Sequence, residues 1–131
     1  MMNLKIALAA ILIVPAIRPA PTANAADESE GKRLYQTYCS GCHGDSGKGD
    51  GPAAKGLPVK PADHTRSAMR QHSDQFLTGI IANGGPSVGK SPLMPAWSGV
   101  LKESQIAAIV SYIRTLSKDP KAAKGSDGAT K

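Results

Sequence analysis

Aromatic side chains and cysteines are scarce in this sequence of 131 residues, which has one Phe, one Trp, three Tyr and two Cys. A chain of this length suits one domain rather than two. Because small domains bury a smaller share of their surface than large ones, a core with so few bulky side chains is marginal. A group bound inside the fold would supply the apolar surface that the side chains lack.

Long apolar runs are missing as well. Residues 6–17 form an apolar stretch of about 12 residues that is interrupted at Pro15, whereas a membrane-spanning helix takes about 20. The stretch follows Lys5 and precedes a small-x-small pattern ending at Ala25, as in a secretory signal. We predict a signal peptide over residues 1–25, a periplasmic or equivalent exported location, and no transmembrane segment after cleavage. A retained anchor and a buried core helix are the alternatives.

Neither sign of charge is in large excess. Cleavage after Ala25 removes Lys5 and Arg18 and lowers the formal net charge from +6 to +4, with 14 basic residues against 10 acidic ones. Residues 119–131 are basic, rich in Ala and Gly and without apolar periodicity, so we predict a disordered tail there. No nucleic-acid partner is expected, because the basic residues are not interleaved with aromatic ones.

The strand-like alternation of apolar and polar residues does not occur either, and the apolar residues recur at helical spacing. The first predicted helix begins at Asp27, with Glu30 as its capping partner, and Ser73 caps a second helix. The last helix carries its apolar stripe at Ile106, Ile109, Val110, Ile113 and Leu116. We therefore predict one all-α domain over residues 26–118.

Two segments, residues 44–63 and 84–99, are rich in Gly and Pro and are predicted to be loops. A short helical turn is predicted near residues 67–71. Loops of such length in a compact domain need something to wrap around.

The two cysteines stand in the sequence Cys39-Ser40-Gly41-Cys42-His43, which is the C-x-x-C-H pattern of covalent haem attachment. Residues three apart on a helical turn face the same way, so the two thiols can add to the vinyl groups on one edge of a porphyrin. His43 then lies under the ring and offers a nitrogen to the iron. We predict one haem c held by Cys39 and Cys42, with His43 as an axial ligand.

A thioredoxin-like redox pair and half of a zinc site are the alternative interpretations of this motif. The redox pair lacks the βαβ setting. The zinc site lacks ligands, since no second cysteine pair exists and His64 and His72 would complete it awkwardly.

The second axial position on the iron has four candidate ligands, which are Met94, Met69, His64 and His72. Met94 lies in a proline-flanked loop, where stiff backbone can hold a thioether at a fixed distance. Met69 lies in a polar segment, where filling a gap is the commoner role of Met. Residue chemistry alone favours Met94, and either histidine would instead give bis-imidazole iron.

From about Asp27 to Leu116 the sequence resembles the class I c-type cytochromes of the small bacterial kind. The matching pieces are Gly31 with Tyr35, the haem motif with Gly44, Gly51-Pro52-Ala53, Leu93-Met94-Pro95, and Tyr112-Ile113-Arg114. The resemblance implies a cytochrome c fold of three to five helices wrapped around one haem, with crossing N- and C-terminal helices. Gly31 and Tyr35 are then expected to meet the Tyr112 region at that crossing.

The resemblance also implies the ligands of the iron and the surroundings of one of them. Met94 is the expected second axial ligand. The carbonyl of Pro52 is expected to accept a hydrogen bond from the other nitrogen of His43, a contact that fixes ring orientation and ligand basicity.

Iron with both axial positions filled has no open site for oxygen, peroxide or substrate, so we expect a one-electron carrier and not an enzyme. The family implies redox proteins as partners, such as respiratory complexes or exported dehydrogenases and oxidases. The mild positive charge favours acidic docking surfaces, and a monomer or weak oligomer is expected. The alternatives are a permanent haem subunit of one exported oxidoreductase complex, and a haem enzyme or gas sensor with a labile sixth ligand.

Overall fold

Helices form the regular structure of the chain in the computed structural model, which describes residues 23–118, with side chains from residue 27 onward. The α-helices are α1 (Ala23–Tyr38), α2 (Ser40–His43), α3 (Asp74–Asn83) and α4 (Glu103–Lys118). Three 3₁₀ helices, Pro52–Gly56, Ser67–Gln71 and Gly85–Val88, lie in the connections. No strand occurs between residues 23 and 118, which confirms the predicted all-α class. Within the same residues, no helix has both the length and the apolar character needed to cross a bilayer.

The first helix begins earlier than predicted, at Ala23 rather than at Asp27. Residues 23–26 read Ala-Asn-Ala-Ala, and alanine has the highest helix propensity, so the helix extends back past Asp27. Glu30 does not cap the helix but pairs with Arg33, one turn further on, at 2.8 Å. The helix includes the predicted cleavage position after Ala25. The rest of the predicted signal peptide and the predicted tail lie outside the described residues.

Helices α1 and α4 form the most extensive helix pair in the described region, and they approach closely at Gly31. A Cβ atom at Gly31 would collide with the Ala108 carbonyl group and crowd Tyr112. Only glycine therefore lets the two backbones come so close. The ring of Tyr35, which is fully buried, packs edge-on against Tyr112 with 5.2 Å between centroids. These contacts confirm the crossing that the resemblance implied.

The ends of α3 are set by local sequence. The Ser73 hydroxyl accepts a hydrogen bond from the Phe76 N–H at 3.1 Å, as the predicted cap requires. Gly84, with φ of 81°, ends the helix. Helix α3 packs on α4 and completes a core whose buried members are Leu34, Tyr35, Met69, Leu77, Ile81, Leu101, Ile106, Ile109, Val110, Tyr112 and Ile113.

Arg114 of α4 holds the segment that leads into α3. Its guanidinium donates hydrogen bonds to the carbonyl oxygens of Met69 at 2.9 Å and His72 at 2.5 Å. It also donates to the Asp74 carboxylate at 2.8 Å. Because the rigid guanidinium fork reaches all three acceptors at once, it fixes the predicted turn at residues 67–71 against the last helix.

Candidate haem-binding site

A cavity of about 390 Å³ lies between α2, α3 and the two Gly- and Pro-rich loops. Its volume falls within the roughly 300–1,000 Å³ that is typical of cofactor and ligand sites, and its lining is mainly apolar. Cys39, Cys42, His43 and Met94 all line it. The two loops add further wall residues, among them Leu57, Val59, Pro61, Leu93, Pro95 and Trp97. The loops thus wrap around a common space, as their length led us to expect.

Helix α2 is a single turn that brings the haem motif to this cavity. The N–H groups of Cys42 and His43 both donate to the Cys39 carbonyl, at 3.2 and 2.9 Å. Gly44, with φ of 81°, ends the turn and donates to the Ser40 carbonyl at 2.8 Å. The i, i+3 spacing places the two cysteines on one side of the turn, and both are free, partly buried thiols. The spacing therefore produces the arrangement predicted from the sequence.

The orienting contact of His43 differs from the prediction. Its Nδ1 lies 3.0 Å from the carbonyl oxygen of Ala62, so Ala62 replaces Pro52 in this role. Pro52 follows Gly51, whose N–H donates to the Cys42 carbonyl at 3.1 Å on the backbone side of α2. Pro52 is consequently not among the residues lining the cavity, whereas Ala62 is.

The Ala62 contact determines which nitrogen of His43 is available to a metal. A carbonyl only accepts, so Nδ1 carries the hydrogen and Nε2 keeps its lone pair. Burial lowers the pKa of His43, and the hydrogen bond to Ala62 opposes this in part. The neutral ring, which is the form that binds metal, is therefore favoured at neutral pH.

The cysteines do not have the properties of a redox dithiol. Burial, reinforced by the neighbouring Cys42, raises the pKa of Cys39 to about 12, whereas reactive C-x-x-C pairs have a lowered pKa. In the part of the chain that the structure describes, no three His, Cys, Asp or Glu side chains converge as metal ligands. The geometry therefore favours neither the thioredoxin-like nor the zinc interpretation, and it fits a covalently held haem.

The other three candidate ligands also line the cavity, but they have different neighbours. His64 stacks on His43, with 4.3 Å between centroids and 19° between planes, so it lies beside that ring rather than across the cavity from it. His72 stacks on Phe76 at 4.5 Å. Met69 is buried in the core.

Met94 is held by its backbone and is only half-buried. Its N–H donates to the Ser91 carbonyl at 3.2 Å, and its carbonyl accepts from the Gly85 N–H at 2.9 Å. The loop that presents Met94 is thereby fastened to itself on both sides of the residue. Gly84 at the end of α3 passes so close to the Met94 carbonyl that a Cβ there would come within 3.0 Å of it.

Residues 61–65 contribute more to the site than the sequence analysis predicted. Ala62 supplies the carbonyl, and His64 was considered only as an iron or zinc ligand. Asp63 and Thr65 fix this stretch, since Asp63 Oδ1 accepts from the Thr65 N–H at 2.9 Å. An Asp two residues before a Thr, shortly after Pro61, is a local signal for such a turn. The signal predicts the turn but not the side of the domain that it faces.

Residues 28–117 match the profile of the family described as Cytochrome c. The chain belongs to the cytochrome c family. The predicted class I c-type cytochrome, its helical fold and its covalent haem c are thus confirmed.

Several curated cytochromes are similar to this one. Cytochrome c4 of Azotobacter vinelandii is 33% identical over 107 residues, which cover 73% of this chain and 48% of the relative. The cbb3-type cytochrome c oxidase subunit FixP of Bradyrhizobium diazoefficiens is 32% identical over 96 residues, or 73% of this chain and 30% of FixP. Cytochrome c6 of Tetradesmus obliquus is 32% identical over 95 residues, or 67% of this chain and 89% of the relative. The cytochrome therefore spans less than half the length of the first two relatives and most of the third.

Among solved structures, a chain of the reducing HAO-like protein complex from Kuenenia stuttgartiensis is similar, with a TM-score of 0.54 and 28% sequence identity. The likeness covers 66% of this cytochrome and 41% of that chain.

Proposed function

We propose that this cytochrome is an exported, periplasmic one-electron carrier. In this proposal Cys39 and Cys42 bind the haem covalently, and His43 and Met94 are the axial ligands of its iron. The observation that carries the proposal is that all four side chains line one cavity, although Met94 lies far along the chain from the haem motif. The haem supplies an iron that changes its charge by one electron. The protein holds, orients and shields it.

The two ligands act differently on that iron. His43 donates through Nδ1 to Ala62, which orients the ring and raises the basicity of Nε2. The Met94 thioether is a soft ligand that favours the ferrous state and raises the reduction potential. The mainly apolar lining acts in the same direction, because it disfavours the extra charge of the ferric state.

Ligation by two protein side chains leaves the iron no position for a substrate. The carrier is therefore expected not to bind carbon monoxide when it is reduced at neutral pH. Binding under these conditions would favour the haem enzyme or gas sensor with a labile sixth ligand.

Partner binding is expected to occur at the mouth of the cavity. Lys60 and Lys90 line the cavity and are exposed, and so are Val59 and Leu93, which are 58% and 49% exposed. A small apolar contact with a positive rim suits brief encounters with acidic redox partners. The association rate should fall as ionic strength rises, because salt screens such steering.

A permanent haem subunit of one oxidoreductase complex is the second candidate function. The similarity to FixP, a cbb3-type oxidase subunit, favours it. If the protein is a carrier, fractionation of native cells should recover it in the soluble exported fraction. Mass spectrometry of the mature protein should show Ala26 as its first residue. A protein that stays with an oxidoreductase through purification at high salt would instead be a fixed subunit.

Absorption spectroscopy of matched methionine variants tests the axial ligands. The weak far-red band of ferric Met-ligated haem should be present in the native protein and lost in Met94→Leu. Met69→Leu is the control, since Met69 lines the same cavity, and this variant should keep the band. A far-red band that persists in Met94→Leu and disappears in Met69→Leu would refute Met94 as the axial ligand. Haem that is extracted by acidic organic solvent from the denatured protein would refute covalent attachment.

A further inference from the structure

A continuous row of aromatic rings connects the α1–α4 crossing with His43. Tyr112 packs edge-on against Tyr35 at 5.2 Å, and Tyr35 packs edge-on against His64 at 5.7 Å. His64 then stacks nearly parallel on His43 at 4.3 Å. Packing in the centre of the domain is thus linked by direct contacts to the proposed axial ligand.

His64 is held more firmly than a side chain that merely fills space. It is 8% exposed, and its Nδ1 pairs with the hydroxyl of Tyr35 at 3.0 Å. Its backbone N–H donates to the Gly47 carbonyl at 2.6 Å. A Cβ atom at Gly47 would lie within 3.3 Å of the His64 Cβ, so the neighbouring loop packs tightly on it as well. Side chain and backbone are therefore both fixed.

The firm placement of His64 is not explained by metal binding. Stacked on His43, it occupies the same side of the cavity as that ring and does not face it across the cavity. Its flat face on His43 is the feature that remains.

We propose that His64 is a positioning residue that holds the plane of the His43 ring, and that Tyr35 anchors His64 in this position. The proposal rests on the proposed function, because it requires His43 to be an axial ligand. The hydrogen bond from His43 to Ala62 fixes the position of one ring atom. That bond restrains one edge of the ring and touches neither face. The parallel ring of His64, stacked at 4.3 Å between centroids, supports one face and restrains the ring plane further.

The plane of an axial imidazole has a measurable consequence for ferric haem. The π orbital of the imidazole is directional, so the orientation of its plane splits the iron d orbitals and sets the anisotropy of the electron paramagnetic resonance signal. A ring held in one orientation gives one sharp low-spin signal, whereas a freed ring gives a shifted or broadened one. The orientation of a ligand is among the properties that outer contacts tune in metal sites.

Low-temperature electron paramagnetic resonance of the full-length, haem-loaded ferric protein tests the proposal. His64→Leu removes the flat ring, and we expect its largest g value to shift or its signal to split into several species. His64→Phe keeps a flat ring but loses the hydrogen bond with Tyr35, so we expect the wild-type g values with a broadened line, as in Tyr35→Phe. A single wild-type signal in His64→Leu, or equal changes in both variants, would overturn the stacking role.

Tyr35→Phe tests the anchor, because it removes one hydroxyl and keeps the ring. We expect a broadened low-spin signal, and an unchanged line width would overturn the anchoring role. Ile106→Ala is the control for general destabilisation, since Ile106 is buried in the core and does not line the cavity. It should lower the melting temperature without changing the g values, and a change of the kind expected for His64→Leu would overturn the proposal.

The same measurements separate this inference from the proposed function. A wild-type protein without a low-spin ferric signal and without the far-red band would refute His43 and Met94 as ligands. A wild-type protein with both features, and a His64→Leu variant identical to it, would refute only the role of His64.

Discussion

The α1–α4 crossing and the wall of the cavity are built in different ways. At the crossing, buried side chains such as Leu34, Ile106 and Ile109 pack directly on one another. The part of the wall that the two loops form is held by backbone hydrogen bonds, with glycines at positive φ. Its large apolar side chains Val59 and Leu93 are exposed. Because apolar burial is the main driving force of folding, the crossing supplies its own stability, whereas the wall depends on what it encloses.

Removal of the haem should produce the largest difference in local stability between the crossing and the cavity wall. In chain produced without haem attachment, we expect amide hydrogen exchange in residues 44–63 and 84–99 to accelerate roughly a hundredfold or more, equal to about 3 kcal/mol of local opening free energy. The remaining protection should lie in α1 and α4. Loop amides as protected as those of the haem-loaded protein would show that the wall does not need the haem.

A substitution at Gly31 sharpens the comparison by weakening the crossing alone. Gly31→Ala should lower the free energy of unfolding by about 1–3 kcal/mol, because the new Cβ collides with the Ala108 carbonyl group. The absorption spectrum of the haem should be unchanged in the folded protein. Gly79→Ala in α3 is the control, since a Cβ there meets nothing within 4 Å. Gly79→Ala should raise the free energy of unfolding by about 0.5–1 kcal/mol. Denaturant unfolding measures this free energy for both variants.

Arg114 connects the two regions, and its replacement should have the smallest of the three effects. Arg114→Lys should cost about 1 kcal/mol, because an ammonium group cannot reach the Met69 and His72 carbonyls together. Asp74→Asn tests the third contact separately. The Asp74 side chain is 74% exposed, so this variant should change stability very little. If Asp74→Asn lowered the free energy of unfolding more than Arg114→Lys, the Met69 and His72 carbonyls would not be the main partners of Arg114.

The helices and their caps were largely predictable because they depend on neighbours in the sequence. The Ser73 cap, the turn at residues 67–71 and the apolar stripe of α4 all appear where expected. The start of α1 was wrong, since the helix extends back through residues 23–26. A capping pattern at Asp27 and Glu30 identifies one place where a helix can begin, but it does not exclude an earlier start.

The contacts around His43 were less predictable, because they join segments that are distant along the chain. Pro52 was expected beside His43, yet Ala62 takes its place. Both lie in the same Gly- and Pro-rich loop, and local turn signals do not show which carbonyl points into the cavity. His64 was considered as a ligand, but it stacks on His43 instead. Whether His64 binds iron or stacks on His43 depends on the path of the loop, which the sequence does not show.

The sequence by itself determined the chemistry of this cytochrome. Two thiols and an imidazole in one turn specify covalent haem attachment, because their geometry depends on a few consecutive residues. The tertiary structure decided which groups surround that turn. The carbonyl of Ala62, the stacked ring of His64 and the Tyr35 hydroxyl reach His43 only after the first loop folds back and α1 packs on α4. Such contacts depend on the relative placement of whole segments, which no local pattern encodes.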